Sequence, residues 1–329
     1  MTDLLNAFAQ KNFVIIGRAG IDFYADPPGA KTEHATQFVS ALGGSSANIG
    51  VALKRHGISS SLVTCVADDS IGRYCLNQLA HYGVDAKYVR SVGGEARNSL
   101  AVIESVVEDH QSVIYRNGAA DFEMSIEDVE AVDYSAYGAL ITTGTVFAAE
   151  PSRSAAFHAL ELAKKAGLPI IFDIDYRPYS WPSAEVAADV YSRAGALCDV
   201  VIGNDDEFGF MAGGYDKGLD KARDLAATSA QIIVYKRGEK GAITITPEGE
   251  IATGIYPVNA LKPTGAGDSF MGGFIASLAD GHDLKTAVLR GSASAAIVVS
   301  KVGCAPAMPD GAQLQDFLDT HPGVTDPLP

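Results

Sequence analysis

Cysteine is scarce, tryptophan occurs once and long apolar runs are missing from this 329-residue chain. Each shortage closes off a class of protein. The four cysteines, Cys65, Cys75, Cys198 and Cys304, form no C-x-x-C and no regular spacing. They read as small core or near-surface thiols of a reducing compartment rather than a disulfide frame. The seven histidines are scattered without ligand spacing, so a metal hydrolase finds no support. No apolar run approaches the roughly 20 residues a membrane helix needs. The opening "MTDLLNAFAQKNFVIIG" carries an early acid and a short apolar run, unlike a secretory leader, and a cytoplasmic location is expected. Positive charge is also in deficit: the formal net charge is −15. Such a surface repels phosphate backbones and anionic lipid, so neither nucleic acid nor membrane is expected as a partner. A small anion such as ATP remains compatible, because a local pocket can be positive on an acidic protein.

Two common phosphate-binding motifs are absent as well. A G-x-x-x-x-G-K-[ST] loop does not occur, since "GAKT" (Gly29–Thr32) lacks a glycine directly before its lysine. "GAGDSF" fails as a dinucleotide fingerprint because Phe270 stands where the third glycine belongs.

What is present is a core-forming composition, 47% hydrophobic. Length alone suggests about two domains, but α/β folds run longer as one unit, and one domain over residues 1–329 is expected. Short β-branched runs recur: "FVIIG" (13–17), "SLVTCV" (61–66), "ALITTG" (139–144), "PIIFDID" (169–175), "DVVIGN" (199–204) and "QIIVYK" (231–236). They are continuous rather than alternating, as strands covered on both faces should be. Helical patterns lie between them. "PSRSAAFHALELAKKAG" puts Ala155, Ala156, Ala159, Leu160 and Ala163 on one stripe, with Gly167 as its stop. Alternation of this kind predicts an α/β sandwich around a mostly parallel sheet. Residues 20–42, with a "DPPGA" turn, and 99–116, two strands about a polar turn at Glu108–Gln111, break the pattern. Both suit a small β-layer, a lid built from about 18–42 and 97–118. The last eight residues, "PGVTDPLP", read as a loose tail.

The stretch "LKPTGAGDSFMGGF" (261–274) sets Asp268 among small residues where an apolar helix begins, with Phe270, Phe274, Ile275 and Leu278 at helical spacing. An acid near a helix N-terminus is favourable on its own account, so a simple cap is one reading. The other is that the free N–H groups of Gly265, Ala266 and Gly267 hold an anion while Asp268 removes a proton beside it. Four further segments accompany it in order: "LGGSSANIGVALKRHG" (42–57), "ADDSIG" (67–72), "NDDE" (204–207) and "KRGEKGA" (236–242). Together they resemble the PfkB, ribokinase-like carbohydrate kinases over essentially the whole chain.

That resemblance implies a three-layer ribokinase-like sandwich with a β-lid and an ATP- and Mg²⁺-dependent kinase. It implies Asp268 as catalytic base, with Gly265, Ala266 and Gly267 as the anion hole. Asn204 and Glu207 would organise Mg²⁺ and phosphate, Glu207 through water, although an N-cap accounts for Asn204 equally well. Lys236, Gly238 and Gly241 would hold the nucleotide, or simply form a hairpin turn. Asp22, Gly43, Gly44 and Asn48 would face the sugar, an exposed turn acid being the plain reading of Asp22. "ADDSIG" reads mainly as a turn and helix start.

A sugar acid needs a cation for its carboxylate, and an arginine fork suits one best. Arg116 in "IYRNGAA" and Arg177 in "DIDYRPYSW" are the candidates; a surface ion pair is the alternative for each. "GRAGID", "DIDYRPYSW" with Trp181, and "LKPTGAGDS" are most similar to the 5-dehydro-2-deoxygluconokinases of inositol breakdown. The resemblance implies phosphorylation of that sugar acid at its terminal hydroxymethyl group. A 2-keto-3-deoxygluconate kinase, a nucleoside kinase and a non-catalytic sugar-binding regulator are the alternatives. One departure stands out. Many family members carry an acid, helping to hold a monovalent cation, where this chain has Lys262. Activity independent of K⁺ is expected from that change, unless Lys262 simply points to solvent. Lid edges pair between subunits in this family, which implies a homodimer.

Overall fold

All six β-branched runs become neighbours in one sheet. The computed structural model describes residues 1–106, 111–262, 264–321 and 323–328. Its larger sheet contains β1 (Asn12–Ile16), β4 (Ser59–Ala67), β5 (Asp85–Val92), β8 (Ala139–Thr143), β9 (Ile170–Asp173), β10 (Val200–Asn204), β11 (Ile232–Lys236), β12 (Ala242–Thr246) and β13 (Gly249–Thr253). The spatial order is β13-β12-β11-β10-β9-β8-β1-β4-β5. From β11 to β5 every pairing is parallel; β12 and β13 are antiparallel additions at one edge. The central strands are buried on both faces, hence their unbroken apolar runs.

Alternate strand residues feed two cores. Val14 and Ile16 face a layer built from α4 (Ile126–Glu130), α5 (Ser152–Lys165), α6 (Ala184–Gly195), α7 (Asp205–Ala212) and α8 (Gly218–Thr228). Phe13 and Ile15 face α1 (Thr2–Phe8), α2 (Ser45–Arg55), α3 (Ser70–Tyr82), α9 (Ala266–Ala279) and α10 (Leu284–Val299). The period of two in the strands thus serves both layers at once. Helix α11 (Gly311–Thr320) packs on α10 through Leu314 and Phe317. Helix α9 is buried from Ser269 to Ala279. Its Gly272 lets α2 come close: a Cβ there would lie 2.4 Å from the Ala52 methyl.

The segments that broke the α/β pattern form a second sheet, in the order β3-β2-β6-β7. Its strands are β2 (Gly20–Asp26), β3 (Gln37–Gly43), β6 (Leu100–Ile103) and β7 (Ser112–Tyr115). β2 pairs antiparallel with β3 and parallel with β6, and β6 antiparallel with β7. Of the polar turn expected at Glu108–Gln111, all but Gln111 lies outside the described residues. In "ADDSIG", Asp69 caps α3 by accepting from the Ile71 and Gly72 amides.

The expected loose tail is instead anchored. Thr325 bonds Ile255 in both directions, its amide to the carbonyl at 2.9 Å and its hydroxyl to the amide at 3.1 Å. Arg237 donates to the Leu328 carbonyl at 2.8 Å. Backbone hydrogen-bonding capacity, invisible in a polar Pro-rich composition, makes the difference. Deleting residues 323–329 should therefore lower stability by about 1–3 kcal/mol, given about 1 kcal/mol per lost bond. A urea melt read by fluorescence would show the shift, and an unchanged midpoint would mean the tail is bound only nominally.

Candidate active site

Parallel strands deliver their C-terminal ends to one side of the sheet, where open α/β folds take their ligands. Arg18 follows β1, Asp173 ends β9 with Asp175 and Arg177 just beyond, Asn204 ends β10 and Lys236 ends β11. Helix α9 starts at the same place. Its N-cap, Gly265, has φ +85°, and a side chain there would meet Cys304 Sγ at 2.8 Å. Only glycine suits both demands. A methyl added at Gly267 would lie 3.5 Å from Lys236 Nζ, so that ammonium stands beside the free amides of residues 265–267.

Asp268 sits in the first turn of α9. Desolvation, and then the charge of Asp175, push its carboxyl up to about 7, against the pull of an Asn48 hydrogen bond and of Arg177 and Arg18. Asp22 lies in β2, 7% exposed, rather than on an open turn. Burial pushes it up to about 6, offset by Arg18, the Tyr24 hydroxyl and Lys262. Gly43 and Gly44 make room for neighbours inside the protein. A Cβ at Gly43 would lie 2.1 Å from Asp22 Oδ1, and one at Gly44 would meet the Arg18 carbonyl at 2.5 Å.

Asn204 and Glu207 close a reciprocal capping box at the start of α7. Asn204 Oδ1 accepts from the Glu207 amide at 2.8 Å, and Glu207 Oε2 accepts from the Asn204 amide at 2.7 Å. Glu207 is also buried, next to Asp173 and Lys236. Burial raises both carboxyls, Asp173 the more strongly, while Lys236 draws both down. Among the described residues, no three His, Cys, Asp or Glu side chains are grouped closely enough to hold a metal by themselves. Gly238 and Gly241 bracket the turn between β11 and β12. At Gly241 a Cβ would lie 2.0 Å from the Thr253 carbonyl oxygen.

The two expected arginines are both here, on different footings. Arg116 follows β7, is 7% exposed and bonds the Asp121 carboxylate through Nη2, while its Nε and Nη1 have no protein partner. Arg177 Nη2 pairs with Asp175 Oδ1 at 2.6 Å, and its Nη1 donates to the Tyr176 carbonyl. Sequence reasoning missed Arg18, which is 8% exposed. Only its Nη1 finds a partner, Ser99 Oγ at a long 3.5 Å, and its Nε has none. All three arginines lie within electrostatic reach of the Tyr179 hydroxyl. The position of Arg18 directly after a β-branched run was the available signal. Trp181, also singled out in the sequence, packs 5.2 Å from the Tyr191 ring in the core.

Lys262 does not point to solvent. It is 2% exposed, donates to the Thr264 carbonyl just ahead of the α9 amides, and burial lowers its pKa. A cleft of about 950 Å³ opens beside Leu261, between the segment around Val258 and helices α10 and α11. Asn259, Ile297, Lys301, Phe317 and His321 line it, and composition gave no hint of it.

A carboxyl of raised pKa at the amide end of a helix, with a lysine alongside, is the equipment of a phosphotransferase. The chain belongs to the pfkB family carbohydrate kinases, whose profile it matches over residues 10–311. It is 36% identical over 314 residues to the 5-dehydro-2-deoxygluconokinase of Photobacterium profundum, covering 94% of this chain and 95% of that one. It is 35% identical to the 5-dehydro-2-deoxygluconokinase of Geobacillus kaustophilus, over 94% of each chain. The crystal structure of a PfkB protein from Polaromonas sp. JS666 superposes with a TM-score of 0.78 at 27% identity, covering 90% and 98% of the two chains. A fructokinase from Xylella fastidiosa with bound ATP shares the fold at a TM-score of 0.83 and 22% identity, over 94% and 98%.

The raised Asp268 has a consequence for stability. A carboxyl whose folded pKa lies above its unfolded value favours the fold while neutral, and that benefit is lost as pH rises through about 7. Asp268→Asn should therefore be more stable than wild type at pH 8, by on the order of 1 kcal/mol, with the gain shrinking toward pH 4. Thermal melts at both pH values test this; an equal or lower Tm at pH 8 would show that the carboxylate is not strained there.

Proposed function

We propose that the protein phosphorylates 5-dehydro-2-deoxy-D-gluconate at its terminal hydroxymethyl group, with ATP and Mg²⁺. The observation that carries the sugar-acid part is the gathering of Arg18, Arg116 and Arg177 around Tyr179, where Arg18 Nε and Arg116 Nε and Nη1 are buried donors that no described protein group uses. Buried, unpaired donors are costly, and a bound carboxylate would satisfy them. A neutral sugar or a nucleoside could accept from them but would leave their positive charge uncompensated. The kinship with 5-dehydro-2-deoxygluconokinases supports the particular acid.

In this reading Asp268 takes the proton of the hydroxymethyl group as its oxygen attacks the γ-phosphorus, the bond to the β,γ-bridging oxygen breaks and ADP leaves. A base near 7 matches that task at neutral pH. The amides of Gly265, Ala266 and Gly267, with Lys236, neutralise charge on the phosphoryl oxygens in flight. Asn48 orients Asp268, and Asp22 accepts from a sugar hydroxyl beside the Gly43–Gly44 turn. The nucleobase occupies the cleft beside α11, and the Gly238–Gly241 turn holds another part of the nucleotide. Glu207 and Asp173 are hard oxygen donors of the kind Mg²⁺ takes through its waters, and the ion would supply charge neutralisation between phosphates. Lys262 supplies a fixed positive charge beneath the loop, so that no monovalent cation is required.

The second sheet acts as the lid of a single domain, excluding water when sugar is bound. Its edge strands β3 and β7 expose Phe38, Val39, Val113 and Tyr115, at 41–59% of their surface. These belong to a homodimer contact between lids, in a cytoplasmic enzyme. Val39→Glu should convert a dimer to a monomer in analytical ultracentrifugation. A wild type that sediments as a monomer would remove the dimer from this account.

Turnover of ATP with 5-dehydro-2-deoxygluconate, 2-keto-3-deoxygluconate, fructose, ribose and adenosine tests the substrate. The first is expected to give the highest kcat/KM, about 10⁴ M⁻¹s⁻¹ or more. Asp268→Asn should lose at least about 10²-fold, kcat/KM should fall as pH drops below about 7, and added KCl should leave kcat unchanged. Preference for a neutral sugar would refute the arginine argument. Absence of turnover with every compound, alongside sugar binding, would favour a regulator on this fold.

A further inference from the structure

Among the described residues near Asp268, Asp175 is the non-glycine residue with a left-handed backbone. It adopts φ +36°, a left-handed conformation, two residues past the end of β9. Its side chain is 4% exposed. One oxygen, Oδ1, holds Arg177 at 2.6 Å, while Oδ2 is buried without a protein partner. An unusual backbone and an unsatisfied carboxylate oxygen at one residue are both unfavourable for folding alone. Such costs persist where a ligand uses them.

We propose that Asp175 is a specificity-determining residue, which holds Arg177 in place with Oδ1 and offers Oδ2 to a hydroxyl of the bound sugar acid. The inference rests on the sugar-acid reading above and deepens it. A neighbouring cation and acceptor read two features of one substrate: Arg177 the carboxylate, Asp175 a hydroxyl nearby. Sites built to bond a hydroxyl reject analogues lacking it far more strongly than sites that merely fit shape. Oδ2 also acts through space. Asp175 is the largest charge contribution raising Asp268, which is faced as well by Asn48 from α2, Arg18 from the end of β1 and Arg177. Asp173 and Lys262 are charged neighbours of the same carboxylate, and Lys236 stands beside the Gly267 backbone.

Asp175→Asn and Asp175→Gly separate this role from a structural one. Both residues accept a left-handed backbone, glycine with less strain. Tm should be unchanged or raised in both variants. KM for the sugar acid should rise at least tenfold, with KM for ATP within twofold of wild type. The acid limb of kcat/KM should move to lower pH, because removing a negative neighbour lets Asp268 ionise sooner. Sugar-acid KM within twofold of wild type in both variants would overturn the inference, as would equal rises in both KM values with a lowered Tm. A wild type that turns over no sugar acid would instead remove the functional reading on which the inference stands.

Discussion

Desolvated charge at the C-terminal ends of the strands is the constraint on which the rest of this structure depends. Asp173, Asp175, Glu207, Arg18 and Lys262 are buried there, and the partly buried Asp268, Arg177 and Lys236 complete the group. Like charges so close are tolerable only if each carboxylate has a cation or amide donor nearby. The parallel strands make this possible, because they all end on the same side, and β1, β9, β10 and β11 contribute polar residues there. The apolar layers on both faces secure the strands, and the charges are held at their ends.

The same arrangement explains why small residues cluster in the sequence. Gly43 gives its side-chain space to Asp22, Gly265 to Cys304 and Gly272 to helix α2. Each glycine marks an approach of two chain segments rather than mobility. The "GAGD" and "LGG" motifs are therefore packing requirements as much as functional ones: α2 and α9 must lie against each other so that Asn48 reaches Asp268.

Much of this was legible beforehand, for identifiable reasons. Six doubly buried strands announced themselves as unbroken apolar runs, and α5 by its alanine stripe. The hairpin turn in "KRGEKGA" pointed to β12, but β5 and β13 gave no signal, because edge positions mix exposed and buried residues without a clean period. Of the residues gathered at the strand ends, Asp268, Asn204 and Glu207 were picked out by the family resemblance. Arg18 and Asp175 were not: a place just after a β-branched run is the one local signal Arg18 carries and is weak by itself, and a positive φ at an aspartate is set by tertiary context. The burial of Lys262 was equally hidden, since lysine is ordinarily a surface residue. The tail was misread because composition reports propensity for disorder but not the partners a segment finds.

The cysteines, which first served to exclude classes of protein, have a further use. All four are buried, and burial pushes the thiols of Cys65, Cys75 and Cys304 up to about 12 and that of Cys198 higher still. Thiolate chemistry at neutral pH is thus suppressed throughout the native chain. The molecule is in effect a silent background for labelling: one cysteine introduced on the outer strand of the smaller sheet would take a fluorophore or spin label selectively. Motion of that sheet against the larger one could then be followed without first stripping the protein of its own sulfur.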